Sequence, residues 1–127
     1  MTGGTIRSPL SVRRHSHRMN KCYVEVRIIS PGPRSGSFTP QEQTGFVADG
    51  ADFVFQSRVG QDVSVSEHLK WLHGMLQFQR KQLRTLQEDG VDMVCRIRVR
   101  ARTVSIEPEA LLLMHQCHLR TEISFNP

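Results

Sequence analysis

Four arginines, Arg96, Arg98, Arg100 and Arg102, recur at every second position. On an extended strand that spacing sends all four guanidiniums to one face, roughly 7 Å apart along the chain. Left alone they repel, so the pattern demands negative charge from elsewhere. A guanidinium is planar, always charged and fork-shaped, which suits carboxylates, phosphates and nucleic-acid backbones. The arginine face, extended by Tyr23 and Arg27 of the first strand, is therefore the candidate anion- and partner-binding site. An acidic protein partner is the leading expectation; nucleic acid or another polyanion is the alternative. The structural account of the same residues is cross-strand pairing with Glu25 and Glu122, but two carboxylates leave four arginines with excess charge. Single-stranded nucleic acid also calls for aromatic platforms, and Tyr23 is the one such side chain expected on that face.

Other constellations carry less. His115, Cys117 and His118 are three metal-capable side chains within four residues. A structural zinc site takes four ligands in spaced pairs, and no second pair follows. Imidazoles near the end of a helix are favoured there by its dipole in any case. No metal and no cofactor is expected. His68 and His73 are five apart and do not share a helix face as an i, i+4 pair does. No G-x-S-x-G, H-E-x-x-H or P-loop occurs. Cys95 alternates with arginines, on the apolar side, where a thiol is buried and inert. Glu107 and Glu109 are accounted for by the start of a helix. The chain reads as a binding module and not as an enzyme.

The elements that position these residues follow from periodicity. Cys22, Val24, Val26 and Ile28 alternate with Tyr23, Glu25, Arg27 and Ile29, a strand over 21–30 with one buried face. Ser30-Pro31-Gly32-Pro33 stops it. Residues 31–50 read as loop, with one helical turn expected from Pro40 behind a Thr39 cap. Asp49-Gly50 signals a turn and Ala51–Arg58 a second strand. Ser64-Val65-Ser66-Glu67 fits a capping box. It opens a long helix along Leu69, Leu72, Leu76, Leu83 and Leu86, with Trp71 on its seam and Gly90 as its C-terminal cap. Gly74, costly in a helix, is read as a point of close backbone approach. The longest strand is expected over 91–102, carrying the arginines, with Val104 and Ile106 in a short paired strand behind it. A buried helix, apolar nearly all round, starts at Pro108 and runs to about Cys117. The last strand covers 119–125, with Leu119, Thr121, Ile123 and Phe125 inward. Strands with one long and one short helix imply a two-layer α+β fold: an antiparallel or mixed sheet of four to five strands with both helices on one face.

The 127 residues suit one domain, expected over 19–127. The net charge of +5 is misleading as a whole-chain figure. Residues 1–18 hold Arg7, Arg13, Arg14 and Arg18 and no acid, so this expected disordered basic tail carries most of it. Cys22, Cys95 and Cys117 are odd in number, widely spaced and on apolar positions, which points to free thiols in a reducing cytoplasm. The longest apolar run, 110–114, falls far short of the roughly 20 residues of a membrane-crossing helix.

Several of these residues together resemble a known family. They are Tyr23-Val-Glu-Val-Arg-Ile, His68-Leu-Lys-Trp71-Leu72, Gly90 before a long strand, Pro108-Glu-Ala-Leu111, and Leu119 with Glu122-Ile123. Over residues 19–126 the chain is similar to a family of small bacterial α+β domains of unknown function, family four-two-seven-nine. The resemblance implies that fold and a bacterial cytosolic setting, and brings no activity with it. The chain departs from the family pattern after the first strand. A Gly- and Pro-rich stretch replaces a helix and a Gly-x-x-Pro turn, and Phe53 and Phe55 stand where a Trp is usual.

Overall fold

The structure, a computed structural model, describes residues 21–32 and 45–126. The expected tail and the turn at Pro40 lie outside the described residues. Alternation carries the centre of the sheet. In β1 (Cys22–Ile29) every second side chain, from Cys22 to Ile28, is buried, and β4 (Asp92–Val99) buries Met93, Cys95, Ile97 and Val99 beside them. The two strands run antiparallel with Val26 opposite Cys95. A hairpin joins on the other side of β1: β2 (Val47–Asp49), a two-residue turn, and β3 (Asp52–Gln56), with Phe55 opposite Val26. The fifth strand, β5 (Arg120–Phe125), lies parallel to β4. The order is β2-β3-β1-β4-β5, a five-stranded mixed sheet, and with its helices the fold is the expected α+β.

The helical layer seals one face. Ser64 caps α1 (Val65–Leu76) by accepting from the Glu67 amide at 3.2 Å, one half of the expected capping box. The other half is missing, because the Glu67 carboxylate turns to Lys70 instead. The long helix is interrupted: a single 3₁₀ turn (Gln77–Gln79) separates α1 from α2 (Arg80–Glu88). Gly90 closes α2 with a positive φ of 87° and donates to Gln87, as a left-handed cap should. Leu69, Leu72, Leu76, Leu83 and Leu86 are buried against Val24, Val26, Ile28, Ile97 and Val99. Trp71 packs edge-on to Phe55 at 5.7 Å, which in turn meets Phe46 at 5.3 Å. The third helix, α3 (Pro108–Gln116), starts at its proline, and Ser66 of α1 accepts from the Glu107 amide at 2.9 Å.

Five expectations need correction. The strand behind the arginines ends at Val99, so Arg100 and Arg102 lie in the bend beyond it. Val104 and Ile106 form no strand but pack, partly buried, against the core. Only Ala110 and Met114 of α3 are buried, whereas Leu111 and Leu112 face outward, because the helix lies over the sheet on one stripe alone. Gly74 approaches nothing: a Cβ there meets no atom within 4 Å. On β5 the inward set frays, since Leu119 is buried but Ile123 and Phe125 at the sheet edge stay exposed.

Two glycines separate conformational strain from steric clash. Gly50, in the hairpin turn, has a φ of 61° and open space around an added Cβ. Gly45 has a φ of 80°, and an added Cβ lands 2.6 Å from the Phe55 ring. Gly50→Ala is therefore expected to cost about 1 kcal/mol from backbone strain alone. Gly45→Ala should cost roughly 2–4 kcal/mol, because it also displaces a core aromatic. Urea unfolding of the two variants checks this, and equal losses would contradict it.

Candidate functional site

The sheet face away from the helices is where sequence placed the site. Tyr23, Glu25 and Arg27 of β1 project there, with Asp92, Arg96 and Arg98 of β4 and Arg120, Glu122 and Ser124 of β5. Its centre is a knot of charge. Arg27 donates from Nε to Glu25 Oε2, from Nη1 to Asp52 Oδ2 and from Nη2 to Asp49 Oδ2, each at 2.8 Å. Its side chain is only 13% exposed. Asp49 and Asp52 face each other across the β2–β3 hairpin, an arrangement that repels unless a cation bridges it. Arg27 is that cation. These three carboxylates raise its pKa further, and Arg27, with the Ser30 amide behind it, holds Asp52 below the usual carboxylate range. Val54 and Val94 flank Arg27 in register and are buried, although they lie on the face opposite the main core.

A second knot sits across β4 and β5. Arg120 grips Asp92 through Nη2–Oδ2 at 2.7 Å and Nε–Oδ1 at 3.3 Å, and its Nη1 meets the Glu122 carboxylate. Arg96 Nε donates to the other oxygen of Glu122 at 3.2 Å. Arg120 is the main cause that lowers the pKa of both Asp92 and Glu122. Glu25 pairs with Arg27 and not with Arg96, its register partner.

The six candidate residues therefore divide. Arg27 and Arg96 are consumed by ion pairs within the chain. Arg98, Arg100 and Arg102 are exposed, and none has a carboxylate within ion-pair distance among the described residues. Tyr23 stands opposite Arg98 and is 37% exposed. The Arg100 amide donates to the Lys21 carbonyl at 2.9 Å, so the run stays against the start of β1 past the end of β4. The free charge is thus at one end of the open face and not along its length. Sequence reasoning missed Asp49, Asp52, Asp92 and Arg120 as the neutralising partners. They lie 22 to 28 residues from the groups they bind, and nothing local announces the pairing.

At the same end of the sheet a shallow cavity of about 280 Å³ is lined by Tyr23, Gln56, Ser57, Arg58 and His68. Ser57 Oγ and His68 Nδ1 are 2.7 Å apart. The ring is almost fully buried, and its Nε2 meets no partner in hydrogen-bond geometry. Burial pushes the His68 pKa down, against the nearby carbonyls of Gly60 and Val63. The imidazole is neutral, and its bond to Ser57 ties the end of β3 to the first turn of α1. Among the described residues no carboxylate holds the ring as the third group of a catalytic triad does. Burial likewise pushes the Cys95 thiol up to about 12, so it stays protonated and unreactive. Among the described residues no three His, Cys, Asp or Glu gather to hold a metal ion, and no helix is long and apolar enough to cross a membrane.

Comparison of the chain with protein-family models, with curated proteins and with solved structures gave no match. The resemblance to the bacterial α+β family rests on the residues quoted for it.

Two predictions follow from these contacts. Arg27→Met leaves three carboxylates without their cation and should cost about 2–4 kcal/mol. Arg27→Lys keeps the charge without the fork and should lose about half as much. Denaturant unfolding at neutral pH reads both, and a neutral Arg27→Met would refute the hub. For His68, the folded pKa lies below the unfolded value of about 6.5. Between those values the unfolded chain binds more protons, so stability present above pH 6.5 is lost as pH falls toward the folded pKa. The urea midpoint of the wild type should drop across that window, and His68→Gln should flatten the slope.

Proposed function

We propose that the chain is a small interaction module that binds an acidic protein partner through the basic end of its open sheet face. One observation carries this reading: Arg98, Arg100 and Arg102 are exposed and have no carboxylate partner among the described residues, while Arg27, Arg96 and Arg120 on the same face all have one. A folded chain gains nothing internally from three crowded, uncompensated guanidiniums. A partner's carboxylates would relieve their repulsion through forked, charge-assisted bonds. Tyr23 supplies a half-exposed aromatic beside them, of the kind enriched at interfaces. The role is binding without catalysis. Three free thiols, two of them buried, support a reducing cytoplasm as its setting.

One feature favours the second reading, a nucleic acid or other polyanion. The chain enters β1 from residues 1–18 and their four arginines, and it enters at Lys21, beside Arg100. The two readings diverge in one experiment. Binding of the full chain to polyglutamate and to a single-stranded oligonucleotide is measured against salt, with and without Arg98→Ala, Arg100→Ala and Arg102→Ala. The proposal expects polyglutamate to bind more tightly, and the triple substitution to weaken it by tenfold or more, at about 1.4 kcal/mol per decade. It also expects a shallower salt slope in the variant. Tighter oligonucleotide binding that falls on removal of residues 1–18 would support the second reading. Unchanged binding of both probes by the triple variant would refute both.

A further inference from the structure

On the helical side of the molecule, away from the open sheet face, a cleft of about 290 Å³ runs between the α1–α2 junction and the end of α3. Its size is near the lower end of small-molecule sites. Leu76 and Leu83, each nearly buried, form its apolar floor, and no aspartate or glutamate among the described residues lines it. Arg80 and Arg84 do line it. They are four apart on α2 and so share one helix face, and neither has a carboxylate within ion-pair distance among the described residues. His73 comes from α1 and His118 from the turn after α3. Arg80 is close enough to Cys117 to oppose the rise that burial imposes on its thiol pKa.

His118 is the independent sign that the cleft is built. It has a φ of 58°, a left-handed conformation that glycine normally fills at a helix end. For a histidine this costs stability, and such strain is typically kept where a side chain is needed. The neighbouring backbone is braced: Gln87 Nε2 donates to the Cys117 carbonyl at 3.0 Å and to the His118 carbonyl at 3.3 Å, and the Leu119 amide bonds to Met114 at 3.1 Å. The brace fixes the far wall of the cleft against α2.

We infer that this cleft binds a small phosphomonoester, with the phosphate held by Arg80 and Arg84 and the organic body against Leu76 and Leu83. Two unpaired guanidiniums carry twice the charge a carboxylate can match. A phosphomonoester near neutral pH, at about −1.5 to −2, matches both. His73 and His118 supply further polar contacts around it. The site is separate from the arginines of the sheet face and does not depend on their reading.

The test is isothermal titration of the full chain with phenyl phosphate, with benzoate and phenol as the carboxylate and neutral comparisons. Phenyl phosphate is expected to bind most tightly. Arg84→Ala should weaken it about tenfold, and Arg80→Ala with Arg84→Ala should abolish measurable binding. Arg98→Ala, Arg100→Ala and Arg102→Ala should leave it unchanged. His118→Gly is the sharpest variant, because it should raise the melting temperature while weakening the phosphate complex. That combination cannot come from a damaged fold. The inference is overturned if phenyl phosphate fails to bind at roughly 10 mM, if benzoate or phenol binds as well, or if the Arg80/Arg84 double variant keeps its affinity. It is also overturned if His118→Gly gains stability with no loss of binding.

Discussion

One guanidinium holds the open side of this sheet together. Arg27 spends its Nε and both terminal nitrogens on three different carboxylates. Two of these, Asp49 and Asp52, would otherwise repel each other across a hairpin whose outer strand is only three residues long. A short outer strand buries little apolar surface of its own: all three of its residues are exposed. Its attachment to the sheet therefore depends on ladder bonds, on the Phe46–Phe55 contact behind it and on this ionic clamp. Because Arg27, Glu25 and Asp52 are mostly shielded from water, while Asp49 stays exposed, the two inner pairs are worth more than an ordinary surface pair. The carboxylates it uses are also withdrawn from the rest of the face.

That withdrawal decides where positive charge remains. With Glu25, Asp49 and Asp52 committed to Arg27, and Asp92 and Glu122 to Arg120 and Arg96, no acid among the described residues pairs with the arginines at the end of the face. The uncompensated arginines collect where β4 runs out. The molecule is thus neutralised at the centre of its sheet and basic at one end, a pattern that the whole-chain charge does not disclose.

How much of this could be read in the chain depended on distance along it. The alternations of β1 and β4, the Ser64 cap, the Gly90 stop and the proline start of α3 are all local signals, and each is found in the structure. The break at Gln77–Gln79 has no glycine or proline to mark it, and the leucine period runs on across it. It is visible only in its consequence, Phe78 turned almost wholly into water while Gln79 is buried. The Val47–Asp49 strand is too short to show a period. The outward leucines of α3 carry no sign in their own composition, because exposure is set by how much sheet lies beneath them. The pairing partners of the arginines were hidden for the same reason. A register joins residues whose separation in sequence says nothing about their distance in space.

The two basic regions differ in shape, and the partners proposed for them differ in size accordingly. Arg98 and Arg100 stand on and just past the end of an open strand face. A contact there would be wide and shallow, so the acidic partner proposed for it would need several carboxylates to offset the entropy of association. Arg80 and Arg84 line a cleft closed on one side by α3 and its braced turn. A macromolecule cannot enter a space of that volume, whereas a single anionic group with a small body can be largely surrounded. Removing water from around a ligand would strengthen each charge-assisted bond, which is why the proposed cleft site can rely on two arginines. On these two proposals the same residue type would be directed at different partners by the shape of the backbone that presents it.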